Sequence, residues 1–134
     1  MILGLGCDIV QISRFAKGEA FLQRFMHKYF TINEIREVGR KHHIPSYEEL
    51  MVIVATRFAA KEAVVKALGT GFSRGITLKD IEVCHDSQGK PEIILYGNAL
   101  ARAYEMTSKQ AYKVYLSLSN EREYANAVAV IEQQ

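Results

Sequence analysis

At 134 residues and 15.1 kDa, with 49% hydrophobic residues, the chain carries material for one compact domain over 1–134 and too little for two. Charged residues make up 24%, with 17 Lys and Arg against 15 Asp and Glu, which excludes a disordered tail or a fibre, while a net charge of +2 names no partner. Two cysteines, Cys7 and Cys84, exclude a disulfide framework or a zinc knuckle.

The opening MILGLGCDIV has no basic leader or cleavage site and carries Asp8, so no signal peptide is expected. No apolar run approaches the roughly 18 residues of a membrane span, and a cytoplasmic protein with reduced thiols is expected. Residues 2–10 alternate as a strand, with Leu3, Leu5, Cys7 and Ile9 on one face and Gly4, Gly6 and Asp8 on the other. Glycines on that second face admit a backbone or a ligand, so Asp8 is expected to project into a space left open beside the strand. From Ser13 the spacing predicts a helical stretch with Phe21, Leu22, Phe25 and Met26 as its apolar stripe and Arg14 and Arg24 exposed. Thr31 with Glu34, and Ser46 with Glu49, are capping boxes that open two further helices. The second runs over 47–68 with Met51, Ala55, Phe58 and Val65 along one stripe, and Gly69 stops it. After the GTGFSRG loop, LKDIEVCH and PEIILY form a hairpin around SQGK, residues 98–106 form a helix, and YKVYLSLS and YANAVAVI form a second hairpin around Asn120. The order β, α, α, α, β, β, α, β, β predicts an α+β domain with a largely antiparallel sheet and one long central helix.

Between residues 11 and 43 there are seven Lys and Arg against three Glu, a local basic excess that suits either solvated helices or a docking face for an acidic partner. Glu62 falls on the apolar stripe of the long helix, where its charge requires compensation. Lys66 one turn later supplies it as an ion pair, or a divalent cation does. Mg²⁺ is commonly held by one or two protein carboxylates plus waters and phosphate oxygens, so Asp8 with Glu62 suffices for a phosphate-directed site. The GTGFSRG loop matches no P-loop, since a helix ends at it and none begins after it. His27, His42, His43 and His85 show no metal spacing. A non-catalytic binding module and another Mg²⁺-dependent nucleotide transferase remain open on these grounds.

GLGCDIVQISRF at 4–15, FTINE at 30–34, RFAAKEAVVKALGTGFS at 57–73, IEV and GKP within 81–91, and SLSN with YANAVAVI near the end resemble the holo-acyl-carrier-protein synthases. These are the small bacterial type of 4′-phosphopantetheinyl transferase, with the fold of that name. The resemblance implies Mg²⁺-dependent transfer of the 4′-phosphopantetheine arm of coenzyme A to a serine of apo acyl carrier protein, leaving adenosine 3′,5′-bisphosphate. It implies catalytic roles for Asp8, Glu62 and Lys66. Asp8 and Glu62 match the metal ligands, and Lys66, with Gly69, Gly71 and Ser73, matches contacts to coenzyme A. The resemblance leaves the acceptor of the serine proton open among Glu62, Asp8 and a metal-bound water. Arg14 and Arg24 are the expected docking residues for the carrier protein, and a homotrimer is implied, with neither nucleic acid nor membrane as partner. Asn120 stands where the family pattern has histidine.

Overall fold

The fold is described from a computed structural model over residues 1–40 and 44–134, so Lys41, His42 and His43 lie outside the described residues. In chain order the elements are β1 (Ile2–Gln11), α1 (Glu19–Tyr29), α2 (Ile32–Arg40), α3 (Tyr47–Leu68), β2 (Ile81–His85), β3 (Pro91–Leu95), α4 (Gly97–Met106), β4 (Tyr112–Asn120) and β5 (Tyr124–Gln133). This is the predicted order. All pairing is antiparallel, in a three-stranded sheet β1-β5-β4 and a separate hairpin β2-β3. The α+β class follows, with two sheets where one was expected.

The 22-residue α3 is bounded as its sequence dictates. Ser46 Oγ accepts from the Glu49 N–H at 3.1 Å, the Glu49 carboxylate accepts from the Ser46 N–H at 3.4 Å, and Gly69 turns the chain out with φ 78°. Its Ala59, Ala60, Ala63, Val64, Ala67 and Leu68 are all within 2% of full burial. The small residues permit an approach that larger ones forbid. A Cβ on Gly4 would stand 2.0 Å from the Ala67 carbonyl oxygen, and one on Gly6 would stand 1.8 Å from that of Ala63. Helix backbone therefore fills the space beside the glycine face of β1, while Phe58 and Glu62 stay half-buried on α3. The other face of β1 is bare: Ile2, Leu5 and Ile9 are each more than 60% exposed.

Three local expectations are corrected. The stretch expected to be helical from Ser13 is a 3₁₀ turn over Ile12–Phe15, and α1 begins after Gly18, whose φ of 95° an L side chain rarely adopts. Leu78–Asp80 is a 3₁₀ turn, because Thr77 and Asp80 form a reciprocal cap, and the strand starts at Ile81. Asn120 is the exposed last residue of β4, opposite Ala125, and the turn lies in 121–123.

The Thr31–Glu34 box also forms, at 3.0 and 3.2 Å, and Glu34 extends beyond it. At 1% exposure its carboxylate accepts from Lys61 Nζ at 2.6 Å and from the Val83 N–H at 3.3 Å, with Arg57 at 3.8 Å. One acidic residue thus caps α2 and joins it to α3 and β2.

Gly6→Ala is expected to lose ~1–3 kcal/mol or more in denaturant unfolding, because helix backbone and not a mobile side chain blocks the methyl. Gly39→Ala in α2, with nothing within 4 Å of the new atom, is expected to gain about 0.5–1 kcal/mol. Equal effects at the two positions would contradict the close-approach account.

Candidate active site

Asp8 lies on β1 opposite Ala127 of β5, on the same face as Gly6, so its carboxylate emerges beside α3 just past the tight contact. Helix side chains lean toward the N-terminus, and Lys66 reaches back accordingly. Lys66 Nζ donates to Asp8 Oδ1 at 3.1 Å and to the Cys7 carbonyl at 2.9 Å. The ion pair expected one turn along the helix, Glu62 with Lys66, is thus replaced by a pair across the helix–strand seam.

Glu62 sits half-buried on α3. Desolvation raises its pKa above the ordinary 4.5, the charge of Asp8 adds to that, and Lys66 and Arg14 oppose it. Two carboxylates from different elements therefore share one electrostatic site with one ammonium. Burying two acids side by side is unfavourable without a cation, and oxygen donors in this arrangement suit a small hard ion. Among the described residues no three His, Cys, Asp or Glu converge on a point, so such an ion would take two protein ligands here and the rest from water or phosphate.

Glu62 opens onto a cleft of about 810 Å³. Its floor is aromatic: Phe15 and Phe25 meet edge-on at 5.2 Å, and Phe58 lies 5.6 Å from Phe15 and 5.8 Å from Phe25. Its rim is cationic, with Arg14, Lys17, Lys28 and Lys79 against the single carboxylate of Glu62. Three of these cations lie on rings, Arg14 over Phe58 at 5.8 Å, Lys17 over Phe21 at 5.3 Å and Lys28 over Tyr29 at 5.2 Å. The site is shaped for a ligand that is acidic outside and apolar inside.

The structure thus brings Asp8, Glu62 and Lys66 together and puts Arg14 on the adjacent rim. Arg24 is exposed on α1 outside the cleft lining. Gly69, Gly71 and Ser73 also lie outside it: Gly69 caps α3, Gly71 has φ 57°, and the Ser73 hydroxyl donates to the Thr70 carbonyl. From that loop it is Phe72, 48% exposed, that reaches the cleft wall. Sequence reasoning missed Lys17, Lys28, Phe58 and Phe72 as site residues. Phe21 and Phe25 share the predicted apolar stripe with Leu22 and Met26, yet in α1 it is Leu22 and Met26 that are buried, while the two aromatics line the cleft. Helical spacing alone does not separate the middle of a stripe from its edge.

The profile of the 4′-phosphopantetheinyl transferase superfamily matches residues 4–129. The chain is 45% identical over 132 residues to a holo-[acyl-carrier-protein] synthase of Wolbachia pipientis, covering 98% of each. Among solved structures it is similar to a holo-(acyl-carrier-protein) synthase from Bacillus anthracis in complex with CoA (3′,5′-ADP), at 35% identity and TM-score 0.77, covering 100% of this chain and 99% of that one. The acyl carrier protein synthase of Plasmodium yoelii with ADP bound is similar at 34% identity and TM-score 0.83, over 100% and 97%.

Because the pKa of Glu62 is higher folded than unfolded, the native protein holds that proton more tightly, and stability falls as pH rises from 4.5 through the raised value. Glu62→Gln is therefore expected to raise the melting temperature of chelator-treated protein at pH 7, with the gain vanishing below pH 4.5, where the acid is protonated in both states. A gain independent of pH, or a loss at pH 7, would contradict the shared-charge reading of Asp8 and Glu62.

Proposed function

This chain belongs to the 4′-phosphopantetheinyl transferase superfamily, and on that premise we propose that it moves the 4′-phosphopantetheine arm of coenzyme A onto a serine of an apo acyl carrier protein. The observation that carries this reading is the convergence of Asp8, Glu62 and Lys66 beside a cleft with an aromatic floor and a cationic rim. In the transfer the serine oxygen bonds to the β-phosphorus, the bond from that phosphorus to the leaving oxygen of adenosine 3′,5′-bisphosphate breaks, and the serine proton passes to Glu62, Asp8 or a water. Asp8 and Glu62 are the residues that would hold Mg²⁺, and the fit rests on two oxygen donors in need of a cation. Bound there, Mg²⁺ would supply charge neutralisation for the pyrophosphate.

Lys66 belongs to the last turn of α3, where the helix C-terminus repels anions, and its half-exposed ammonium offsets that field for an incoming phosphate. Gly69, Gly71 and Ser73 follow it on the loop, and in this reading they contact the same nucleotide. Acyl carrier protein fits the rim through Arg14, with Arg24 extending the basic surface along α1. The bare outer face of β1, with Ile2, Leu5 and Ile9, supports a homotrimer in which copies cover one another. A cytoplasmic location accords with the free thiols of Cys7 and Cys84.

Intact-mass measurement of apo carrier protein after incubation with coenzyme A and Mg²⁺ is expected to show one added arm with this protein. Asp8→Ala and Glu62→Ala are expected to lower the rate by ~100-fold or more while remaining folded, since each removes one of two protein ligands. Near-native turnover of either variant would refute the metal assignment. Arg14→Glu and Arg24→Glu are expected to raise the KM for carrier protein and flatten its salt dependence, leaving the KM for coenzyme A nearly unchanged. Equal increases for both substrates would overturn the docking role. Leu5→Glu is expected to release monomers in sedimentation, and an unchanged assembly, or a monomeric parent protein, would dismiss the proposed trimer.

A further inference from the structure

Lys61 precedes Glu62 in the chain, yet it has a different environment. Its ammonium is fully buried and faces the ring of Phe30 at 5.4 Å. Its three protons go to three acceptors: Glu34 Oε1 at 2.6 Å, the Leu78 carbonyl at 3.0 Å and the Ile81 carbonyl at 2.5 Å. No buried side-chain nitrogen or oxygen lacks a partner among the described residues, so this group has no free proton to give a substrate.

What it does hold is backbone. Leu78 lies in the 3₁₀ turn before β2, and the segment 76–79 that leads through this turn forms one wall of the cleft. The Glu34 carboxylate takes hold of the same region from the other side, accepting from the Val83 N–H at 3.3 Å. Of the two atoms that fix this turn to α3, both are carbonyl oxygens, which an apolar side chain of the same size would fill around but not bind. The wall has a few other ties, among them the Asn98 amide on the Gly75 carbonyl at 3.1 Å and the Tyr96 N–H on the Asp80 carbonyl at 2.8 Å. None of those runs to the helix that carries Glu62.

We propose that Lys61 is a positioning residue for carrier-protein binding, its buried ammonium fixing the 76–79 wall of the cleft to the helix that bears Glu62, so that the cleft keeps the shape a docked carrier protein needs. This rests on the reading that the cleft receives the carrier protein. Lys61 touches neither substrate. It sets the width of the cleft between Phe58 on α3 and Leu78 on the opposite wall.

The test pairs Lys61→Met with Glu34→Gln, which removes the Lys61 and Glu34 charges together, leaves buried Arg57 its bonds to Glu37 at 3.4 Å and to the backbone carbonyl of residue 34 at 3.4 Å, and keeps an amide that can still cap α2 through Thr31. In the folded double variant, amide hydrogen exchange of residues 76–81 is expected to speed up by about tenfold or more while the middle of α3 stays protected. The KM for apo carrier protein is expected to rise about tenfold, with kcat and the KM for coenzyme A within about twofold of the parent. Unchanged exchange in 76–81, or a fall in kcat at constant KM, would overturn the proposal. Should the variant not fold, the parent protein decides: Leu78, Ile81 and α3 are expected to exchange as one cooperative unit, and separate, easier opening of 78–81 would refute the tether. Absence of any arm transfer by the parent protein would instead refute the functional reading, and the exchange data would still judge the tether.

Discussion

Two missing methyl groups decide the geometry of this protein. With no Cβ on Gly4 and Gly6, the backbone of α3 lies against the backbone of β1 at Ala63 and Ala67. Any side chain there would push strand and helix apart, and the grip of Lys66 Nζ on both Asp8 and the Cys7 carbonyl depends on that closeness. A strand carboxylate and a helix carboxylate share one field because the two backbones touch. The alanines that complete the seam belong to the same short stretch that carries Lys61, Glu62 and Lys66, so one run of α3 both makes the contact and furnishes the chemistry.

Along that stretch the helix sorts like residues into unlike jobs by their angle about its axis. Lys61 is buried, saturated and structural in its bonding, while Lys66 is half-exposed and bonded at a seam that faces solvent. Glu34 and Glu62 divide the same way: the first is enclosed by Lys61, Arg57 and a β2 amide, the second is held near a like charge with its cations at a distance. Breaking a buried pair such as Glu34 with Lys61 from one side costs about 3–5 kcal/mol, because the survivor keeps its charge without a partner. Relieving the strain at Glu62 has the opposite sign. Stability is concentrated on one side of α3 and given up on the other, where a ligand can restore it.

The sequence made most of the fold legible because its signals were local. Both capping boxes, the stop at Gly69 and the alternation in β4 and β5 act within a few residues, and the structure forms each of them. The pairing of Asp8 with Glu62 and Lys66 could be inferred from a carboxylate on a glycine face and another on an apolar stripe, and the chain does bring the three together. What stayed hidden depends on contacts far apart in the chain. Thr31–Glu34 reads as a cap, and nothing within FTINE reveals that its carboxylate continues to Lys61, 27 residues on. Phe21 and Phe25 read as core because period alone cannot tell which edge of a stripe faces a cleft. Helical spacing offers Lys66 to Glu62, whereas the backbone contact at Gly6 brings Asp8 within 3.1 Å of its ammonium.

Where the backbones of β1 and α3 touch, Asp8 and Glu62 would together hold one cation. Titrating the protein with Mn²⁺ in place of Mg²⁺ and following paramagnetic broadening in NMR tests it without any substrate. Broadening is expected to centre on the carboxyl carbons of Asp8 and Glu62, to be reversed by excess Mg²⁺, and to weaken in Gly6→Ala even where that variant remains folded. Broadening centred elsewhere, or a site unchanged in Gly6→Ala, would contradict it.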